Sequence, residues 1–428
     1  MMRIALVIVL AVLTESPAFA QQDARRAPVT LQELEQLALQ NNPATTAAAA
    51  SVDAARARTA QAGAWPNPTI GYSGAELTGG PDVRGQHGFF VEQTIPLGGK
   101  LHLSRDVLQQ TIAQVEAARD LQQLRTLGAV RQAFYAVLLV ERRIEVQERM
   151  VTLAAESAGV TAQLFNVGAA DRPDFLDSEI ASRRVQLQLA QSRNDRRAER
   201  ARLAAIAGCP EVAERPLAVA GDSLVPVLQR ETVIGTLVEQ SPEIRSARAE
   251  LERTRAITGQ ARRATFPDLF VRGGAGYNRE HGEVSGRSIG WEGMVEAGVS
   301  VPLFNRNASG IAASRSDETR AQAELRRVEL SLRARAEAEF SRYSSAMESA
   351  EAYRTDILPR AEEAYSLYLS RYREMAAAYA QVLMAQRNLF ELSAEYLDHL
   401  RQAWQSAIRL QGPLAGDALD GLEAGSKD

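Results

Sequence analysis

The chain contains 428 residues, of which 45% are hydrophobic and 24% are charged. A disordered chain would be poorer in apolar residues and a helical transporter far richer, so this composition disfavours both classes. The 49 basic and 53 acidic side chains nearly cancel, which argues against a nucleic-acid-binding protein. The single cysteine, Cys209, excludes a disulfide framework, and the four histidines lack the spacing of metal ligands.

Residues 1–20 predict a secretory signal peptide. Arg3 precedes an apolar run over residues 4–13, and the segment ends at Ala20 in an Ala-x-Ala pattern. An apolar run this short does not span a bilayer. We expect cleavage after Ala20, and no N-terminal lipid anchor because the next residue is Gln21 rather than cysteine. The mature protein is therefore predicted to be periplasmic, secreted or inserted in an outer membrane.

Four prolines indicate an internal duplication. Pro68 recurs 199 residues later as Pro267, and Pro96 recurs 206 residues later as Pro302. Proline removes a hydrogen-bond donor and fixes φ, so each of the four is predicted to join a strand to a helix. The predicted divisions of the mature chain are a first repeat at 21–208, a linker at 209–230, a second repeat at 231–412 and a flexible tail at 413–428.

Each repeat is predicted to contain two strands. From Trp291 to Val301 the odd positions are mostly apolar, while the even positions include Glu292 and Glu296, and such alternation is typical of a strand. About ten residues per strand suits a transmembrane β-barrel, and a soluble hairpin packed on a domain core is the alternative. The strands are predicted at about 68–79, 86–97, 268–279 and 289–301.

The remaining segments have helical periodicity. Two stretches of roughly 65 residues would each form a helix about 97 Å long, a length that implies coiled-coil packing. The other helices are half as long, so stacked pairs of them would match one long helix in the wall of a cylinder. The helices are predicted at about 31–64, 100–164, 174–207, 232–264, 307–371 and 380–411.

Four strands per chain do not close a barrel, because the smallest closed barrels have about eight. Open strand edges in lipid would cost several kcal/mol for each unpaired backbone group. We therefore expect a mainly α-helical fold with a β-barrel part that several copies of the chain share. Two copies would supply eight strands and three would supply twelve, and the strand count leaves both open.

Several motifs resemble the TolC family of outer-membrane efflux proteins. Residues 165–168, followed by Asp174, resemble the turn between two helices at the periplasmic tip of that family. Residues 64–68 and 93–100 resemble the branch that serves cobalt–zinc–cadmium pumps. The resemblance covers essentially the whole mature chain. It implies a homotrimer in which long coiled-coil helices form an α-barrel continuous with a shared twelve-stranded transmembrane β-barrel. It also implies two partners, a periplasmic adaptor and an inner-membrane RND pump driven by protons.

The resemblance also implies site residues. At the second turn this chain has Met375 where the family often has glycine, and it has Gln381 and Met384 where some members carry paired aspartates. Asp171 or Asp174 is alternatively an N-cap of the following helix. The residues implied in adaptor docking are Phe165, Asn166, Val167, Gly168, Ala169, Tyr372 and Met375. Those implied in lining the periplasmic entrance are Asp174, Asp177, Gln381 and Met384.

The sequence contains no catalytic constellation, phosphate-binding loop or metal-ligand set, so we predict neither an enzyme nor a cofactor. The favoured function is an outer-membrane duct of a tripartite RND-type efflux system that conducts divalent heavy-metal cations. Export of drugs, or of proteins by type I secretion, through the same architecture is one alternative. A soluble periplasmic coiled-coil scaffold or adaptor is another, but it leaves the apolar strands unexplained.

Overall fold

The computed structural model describes residues 28–78, 84–218, 225–281 and 288–412. The predicted signal peptide and the predicted C-terminal tail lie outside the described residues. The described part is mainly helical with one antiparallel sheet, which confirms the predicted fold class at that level. The helices are α1 (Leu31–Asn41), α2 (Pro43–Ala62), α3 (Lys100–Asn166), α4 (Arg172–Ala207), α5 (Arg230–Glu239), α6 (Pro242–Arg263), α7 (Ala308–Ala352), α8 (Leu358–Arg373) and α9 (Tyr379–Gln411). The strands are β1 (Thr69–Thr78), β2 (Arg84–Ile95), β3 (Leu269–His281) and β4 (Ser288–Val299).

The first predicted helix of each repeat is two helices, so the predictions of single helices at 31–64 and 232–264 are wrong. The breaks lie at Pro43 and Pro242, which lack the amide donor of a continuous helix and disfavour the helical conformation of the residue before them. Asn42 and Ser241 begin the second helices. The Asn42 side chain accepts from Ala44 N (2.9 Å), and the Ser241 hydroxyl accepts from Ile244 N (3.4 Å).

The two long helices differ. Helix α3 runs unbroken for 67 residues. The second long helix, predicted as continuous over 307–371, is interrupted between α7 and α8 by one π-helical turn, Tyr353–Ile357. Pro359 explains the interruption, because its ring would collide with the carbonyl group four residues earlier in a regular helix. Across the wider turn, Leu358 N instead donates to the Tyr353 carbonyl oxygen.

The sheet has the order β1-β2-β3-β4 with every neighbouring pair antiparallel. Strands β1 and β2 come from the first half of the chain, and β3 and β4 come from the second. The central β2–β3 pair therefore joins the two halves, with Phe89 opposite Ala275. This order leaves β1 and β4 as the outer strands of the sheet.

The chain divides into two compact units, and each takes segments from both repeats. The first unit contains residues 1–46, 122–237 and 334–428 as far as they are described, and its core includes Leu34, Val137 and Leu203. The second unit contains residues 47–121 and 238–333, and therefore holds the sheet. Among the described helices, none combines the length and hydropathy needed to cross a bilayer.

Candidate functional site

The first turn, residues 167–171, connects α3 to α4. Gly168 has φ 75°, a left-handed conformation that glycine adopts without strain. Its amide donates to the Phe165 carbonyl oxygen (3.0 Å), and Ala169 N donates to the Leu164 carbonyl oxygen (2.8 Å). Open space surrounds the Gly168 α-carbon. The predicted docking residues Phe165 and Asn166 at the end of α3, and Val167, Gly168 and Ala169 on this turn, are all exposed.

The second turn, residues 374–378, connects α8 to α9 and repeats this geometry. Met375 has φ 58°, its amide donates to the Tyr372 carbonyl oxygen (3.0 Å), and Ala376 N donates to the Arg371 carbonyl oxygen (2.8 Å). Met375 therefore occupies the place that Gly168 has in the first turn, at a cost of roughly 1–2 kcal/mol for a non-glycine residue. Its side chain is 70% exposed.

Buried tyrosines pack beside the second turn. The Tyr372 and Tyr379 rings lie 5.5 Å apart, and the Tyr365 hydroxyl donates to the Leu153 carbonyl oxygen of α3 (3.1 Å). Burial raises the pKa of Tyr379 to about 12 and also raises the pKa values of Tyr365 and Tyr372. Tyr372 is only 5% exposed, so its place in the predicted docking surface is corrected: it supports the turn from inside.

Three aspartates lie at the end of the first turn and in the first part of α4. Asp171 occupies the N-cap position without a side-chain capping bond, and Asp174 lies inside the first helical turn. Asp171 is therefore the N-cap residue that the sequence predicted, although its side chain makes no capping hydrogen bond. Burial, followed by the charges of Asp171 and Asp177, raises the pKa of Asp174. Of the other predicted entrance residues, Asp177 is exposed on α4, and Gln381 and Met384 are exposed on α9.

The four predicted joint prolines lie close to the strand ends. Pro68 immediately precedes β1, Pro96 immediately follows β2, Pro267 lies two residues before β3, and Pro302 lies three residues after β4. They therefore stand where their missing amide donor does not interrupt the ladder.

An ion pair that the sequence did not reveal connects two of these joints. Lys100 Nζ lies 2.8 Å from Asp268 Oδ1, and the same carboxylate accepts from Leu97 N at 3.3 Å. Beside this pair, Gly98 has φ 71°, and a Cβ built on it would lie 2.8 Å from Phe266 Cβ. The joint after β2 is thus held against the joint before β3.

One face of the sheet is apolar and exposed. Trp291 is 76% exposed and Val295 is 86% exposed, and Ile70 and Phe89 share the same face on β1 and β2. Aromatic pairs cross the strands, with the Tyr277 and Trp291 rings 5.9 Å apart. Contiguous exposed apolar surface of this kind marks contact with lipid or with another protein.

The opposite face carries charge. Arg272 Nε lies 3.4 Å from Glu92, Arg272 Nη1 lies 3.8 Å from Glu296, and the guanidinium stacks 3.8 Å above the Phe90 ring. Glu292 accepts from Gln86 at 3.0 Å. A strand pair with lipid on one side and water on the other requires this division into two faces. Within the described ranges, no group of three or more His, Cys, Asp or Glu side chains could hold a metal ion.

Comparison with known proteins agrees with this geometry. The model of the outer membrane efflux protein family matches residues 34–209 and 233–416. The cobalt-zinc-cadmium resistance protein CzcC of Cupriavidus metallidurans is 27% identical over 92% of this chain and 91% of its own. The solved channel OprN has a TM-score of 0.73 at 19% identity, covering 89% of each chain. The solved structure of CusC has a TM-score of 0.74 at 17% identity, covering 90% of this chain and 92% of its own. The chain belongs to the outer membrane efflux protein family.

Proposed function

We propose that this outer-membrane efflux protein is the exit duct of a tripartite assembly, working with a periplasmic adaptor and an inner-membrane RND pump. The two-faced sheet is the observation that carries the proposal. Its exposed apolar face, which includes Trp291 and Val295, suits lipid, and its charged face around Arg272 suits a water-filled passage. The duct conducts passively, and the pump supplies the free energy of transport.

The oligomer in this proposal is a homotrimer. The sheet has only four strands, and β1 and β4 form its two outer edges. Backbone groups on an open edge would be unsatisfied in hydrocarbon, so each edge pairs with the opposite edge of another copy. Three copies would close a barrel of twelve strands in the outer membrane, and the exported chain would begin at Gln21.

Divalent heavy-metal cations are the proposed cargo. Two lines support this choice. CzcC is by name a cobalt-zinc-cadmium resistance protein, and a second relative, CnrC of Cupriavidus metallidurans, is a nickel and cobalt resistance protein with 27% identity over 67% of this chain. The charged face of the sheet carries Glu92, Glu292 and Glu296 against Arg272, a balance that favours cations over anions.

The two turns are the proposed periplasmic contact with the adaptor. Exposed residues of this contact are Phe165 and Asn166 at the end of α3, and Val167, Gly168 and Ala169 on the first turn. Met375 on the second turn is exposed as well, whereas the buried Tyr372 is left out of the contact. The side chains proposed to line the entrance beside these turns are Asp174, Asp177, Gln381 and Met384.

Gene deletion tests the proposed cargo. Cells that lack this protein should become sensitive to zinc, cobalt and cadmium more than to hydrophobic dyes, and the wild-type gene should restore tolerance. The variant Gly168→Trp should reach the outer membrane yet fail to restore tolerance, because a large side chain fills the open space at the first turn. Ala155→Trp, an exposed substitution on α3 away from the turns, is the matched control and should restore tolerance. Unchanged metal tolerance together with lost dye tolerance would contradict the cargo.

A further inference from the structure

Apolar side chains are uncovered beside both outer strands of the sheet. After β4, Phe304 is 100% exposed, and its neighbours Val301 and Leu303 are exposed as well. On the other outer strand, Trp65 lies four residues before β1 and is 63% exposed. Both groups lie at the end of the strands that leads into the helices. Exposed apolar groups of this kind mark a surface that another molecule covers.

The joint between β2 and β3 provides a template for that cover. Pro96 recurs as Pro302, and Pro68 recurs as Pro267, so the duplication makes β2 equivalent to β4 and β3 equivalent to β1. The β2–β3 pair within the chain is therefore the counterpart of the pair that β4 would form with β1 of a second copy.

The template gives this pairing residue by residue. The last residues of β2 pair with β3 alone, and Ile95 lies opposite Leu269. The equivalent pair between copies is Val301 with Ile70. In the single chain β4 ends at Val299. Pairing with a second copy would extend β4 by two residues, so that a proline directly follows the strand as it does in the first repeat.

This register closes a barrel of ordinary geometry. Round the sheet, Thr69, Glu92, Arg272 and Glu296 lie opposite one another in turn, and the template places Ala75 of the next copy beside Glu296. The ladder thus returns to β1 displaced from position 69 to position 75, which is about 20 Å along the strand against about 19 Å across four strands. That ratio corresponds to a strand tilt of about 45°, typical of transmembrane barrels. A slip of one residue would instead place the apolar face of one copy beside the charged face of the next.

The same register identifies the neighbour of Phe304. Within the chain, Gly98 lies so close to Phe266 that an added Cβ would be 2.8 Å from Phe266 Cβ. The equivalent residues between copies are Phe304 and Asn67. The aromatic ring comes from the residue before β3 at the joint within the chain, and it comes from the residue after β4 at the joint between copies.

We propose that Phe304 packs on residues 65–68 of the next copy and holds the subunits together at the helical end of the barrel. This contact rests on the proposed function, because it requires copies that share a barrel. The Trp65 ring supplies an exposed apolar surface beside Asn67, and the two prolines of the segment restrict its backbone. Aromatic side chains buried in this way dominate the energetics of protein interfaces.

Photochemical cross-linking of the full chain in outer membranes tests the contact. With p-benzoyl-phenylalanine in place of Phe304, irradiation should produce covalent dimers and trimers cross-linked at residues 65–68 of the other chain. The same group in place of Trp65 should cross-link to residues 301–304. Phe89 is the matched control, because it is also an exposed aromatic residue but lies on the central strand β2. The photoreactive group at position 89 should cross-link to no other copy.

Subunit exchange provides a second measurement. In detergent, trimers of Phe304→Ala should exchange subunits about tenfold faster than the wild type, because the substitution removes the ring from the interface. Phe89→Ala should exchange at the wild-type rate. If Phe304→Ala does not assemble, Trp65→Ala provides the same measurement from the other side of the contact.

The size of the wild-type protein in the same samples separates the two possible failures. A monomer would overturn the proposed trimer, and this contact with it. A trimer in which neither position 304 nor position 65 cross-links to another copy would overturn the contact alone, as would a trimer of Phe304→Ala that exchanges at the wild-type rate. Cross-links from position 304 to lipid only would also overturn it and assign the ring to the membrane interface.

Discussion

Gly168 and Met375 share a left-handed backbone conformation at equivalent positions of the two turns, with φ 75° and 58°. Only Gly168 is a glycine. Adding a side chain at position 168 and removing the side chain at position 375 therefore both measure the free-energy cost of the left-handed conformation for a non-glycine residue. Gly168→Ala should lower the free energy of unfolding by about 1 kcal/mol, and Met375→Gly should raise it by a similar amount. Thermal and denaturant unfolding of the protein in detergent measure both effects.

The matched control for this prediction is Gly159→Ala. Gly159 lies within α3, and its α-carbon likewise has nothing near the position of an added Cβ. In a regular helix the same exchange should stabilise by about 0.5–1 kcal/mol. Equal effects of Gly168→Ala and Gly159→Ala would show that the left-handed conformation at the first turn carries no cost.

Asp174 gives the first turn a pH dependence. Burial and the neighbouring charges of Asp171 and Asp177 raise its pKa in the folded protein, so the folded state disfavours the ionised form. The free energy of unfolding should therefore fall as the pH rises from the ordinary aspartate pKa of 3.8 through the raised pKa of Asp174 in the folded protein. Acidification through the same range should restore it. Asp174→Asn should therefore be more stable than the wild type at pH 7.

The difference between Asp174→Asn and the wild type should shrink as the pH falls below the ordinary aspartate value, because Asp174 is then protonated in both the folded and the unfolded states. Unfolding temperatures measured from pH 3 to pH 7 follow this difference. A stability difference that stays constant across this range would assign the effect of the substitution to something other than titration of Asp174.

At the scale of elements, the joint between β2 and α3 depends on two adjacent glycines with positive φ. Gly98 faces Phe266, where an added Cβ would approach to 2.8 Å, whereas Gly99 has φ 74° and nothing within 4 Å. Gly99→Ala should cost about 1 kcal/mol from conformation alone. Gly98→Ala should cost a further 1–3 kcal/mol, roughly, from overpacking.

A second substitution separates the two costs. Phe266→Ala in the Gly98→Ala background should recover the overpacking cost but not the conformational one, and a double-mutant cycle measures the coupling free energy. A coupling near zero would mean that Phe266 moves away freely and that the joint is not held by this contact.

The helices also show how far the sequence predicts elements. Apolar periodicity located the long α3 to within about two residues of its end, because a regular helix follows local spacing. The prediction of an unbroken helix over 307–371 is wrong near Pro359. The structure accommodates this proline by one π-helical turn, and the helix continues beyond it. A methionine side chain does not indicate a positive φ, so the sequence did not predict the left-handed conformation of Met375. Only the equivalence of Met375 to Gly168 indicates it.

At the scale of the whole molecule, the duplicated prolines predicted two repeats, but the repeats are not the packing units. The sheet joins β2 of one half to β3 of the other, and both compact units take segments from both halves. Contacts such as that of Lys100 with Asp268 arise between residues far apart in sequence. Local periodicity carries no information about them, so the sequence predicted the elements and motifs of the site but not its long-range contacts.

The central claim is that this efflux protein completes its barrel only with copies of itself. Native mass spectrometry of protein extracted from outer membranes tests it most directly, because the mass gives both the number of chains and the position of signal cleavage. We predict an assembly of three chains, each beginning at Gln21, that requires detergent for extraction because of the exposed apolar face of the sheet. A single chain that remains monodisperse in buffer without detergent would contradict the account.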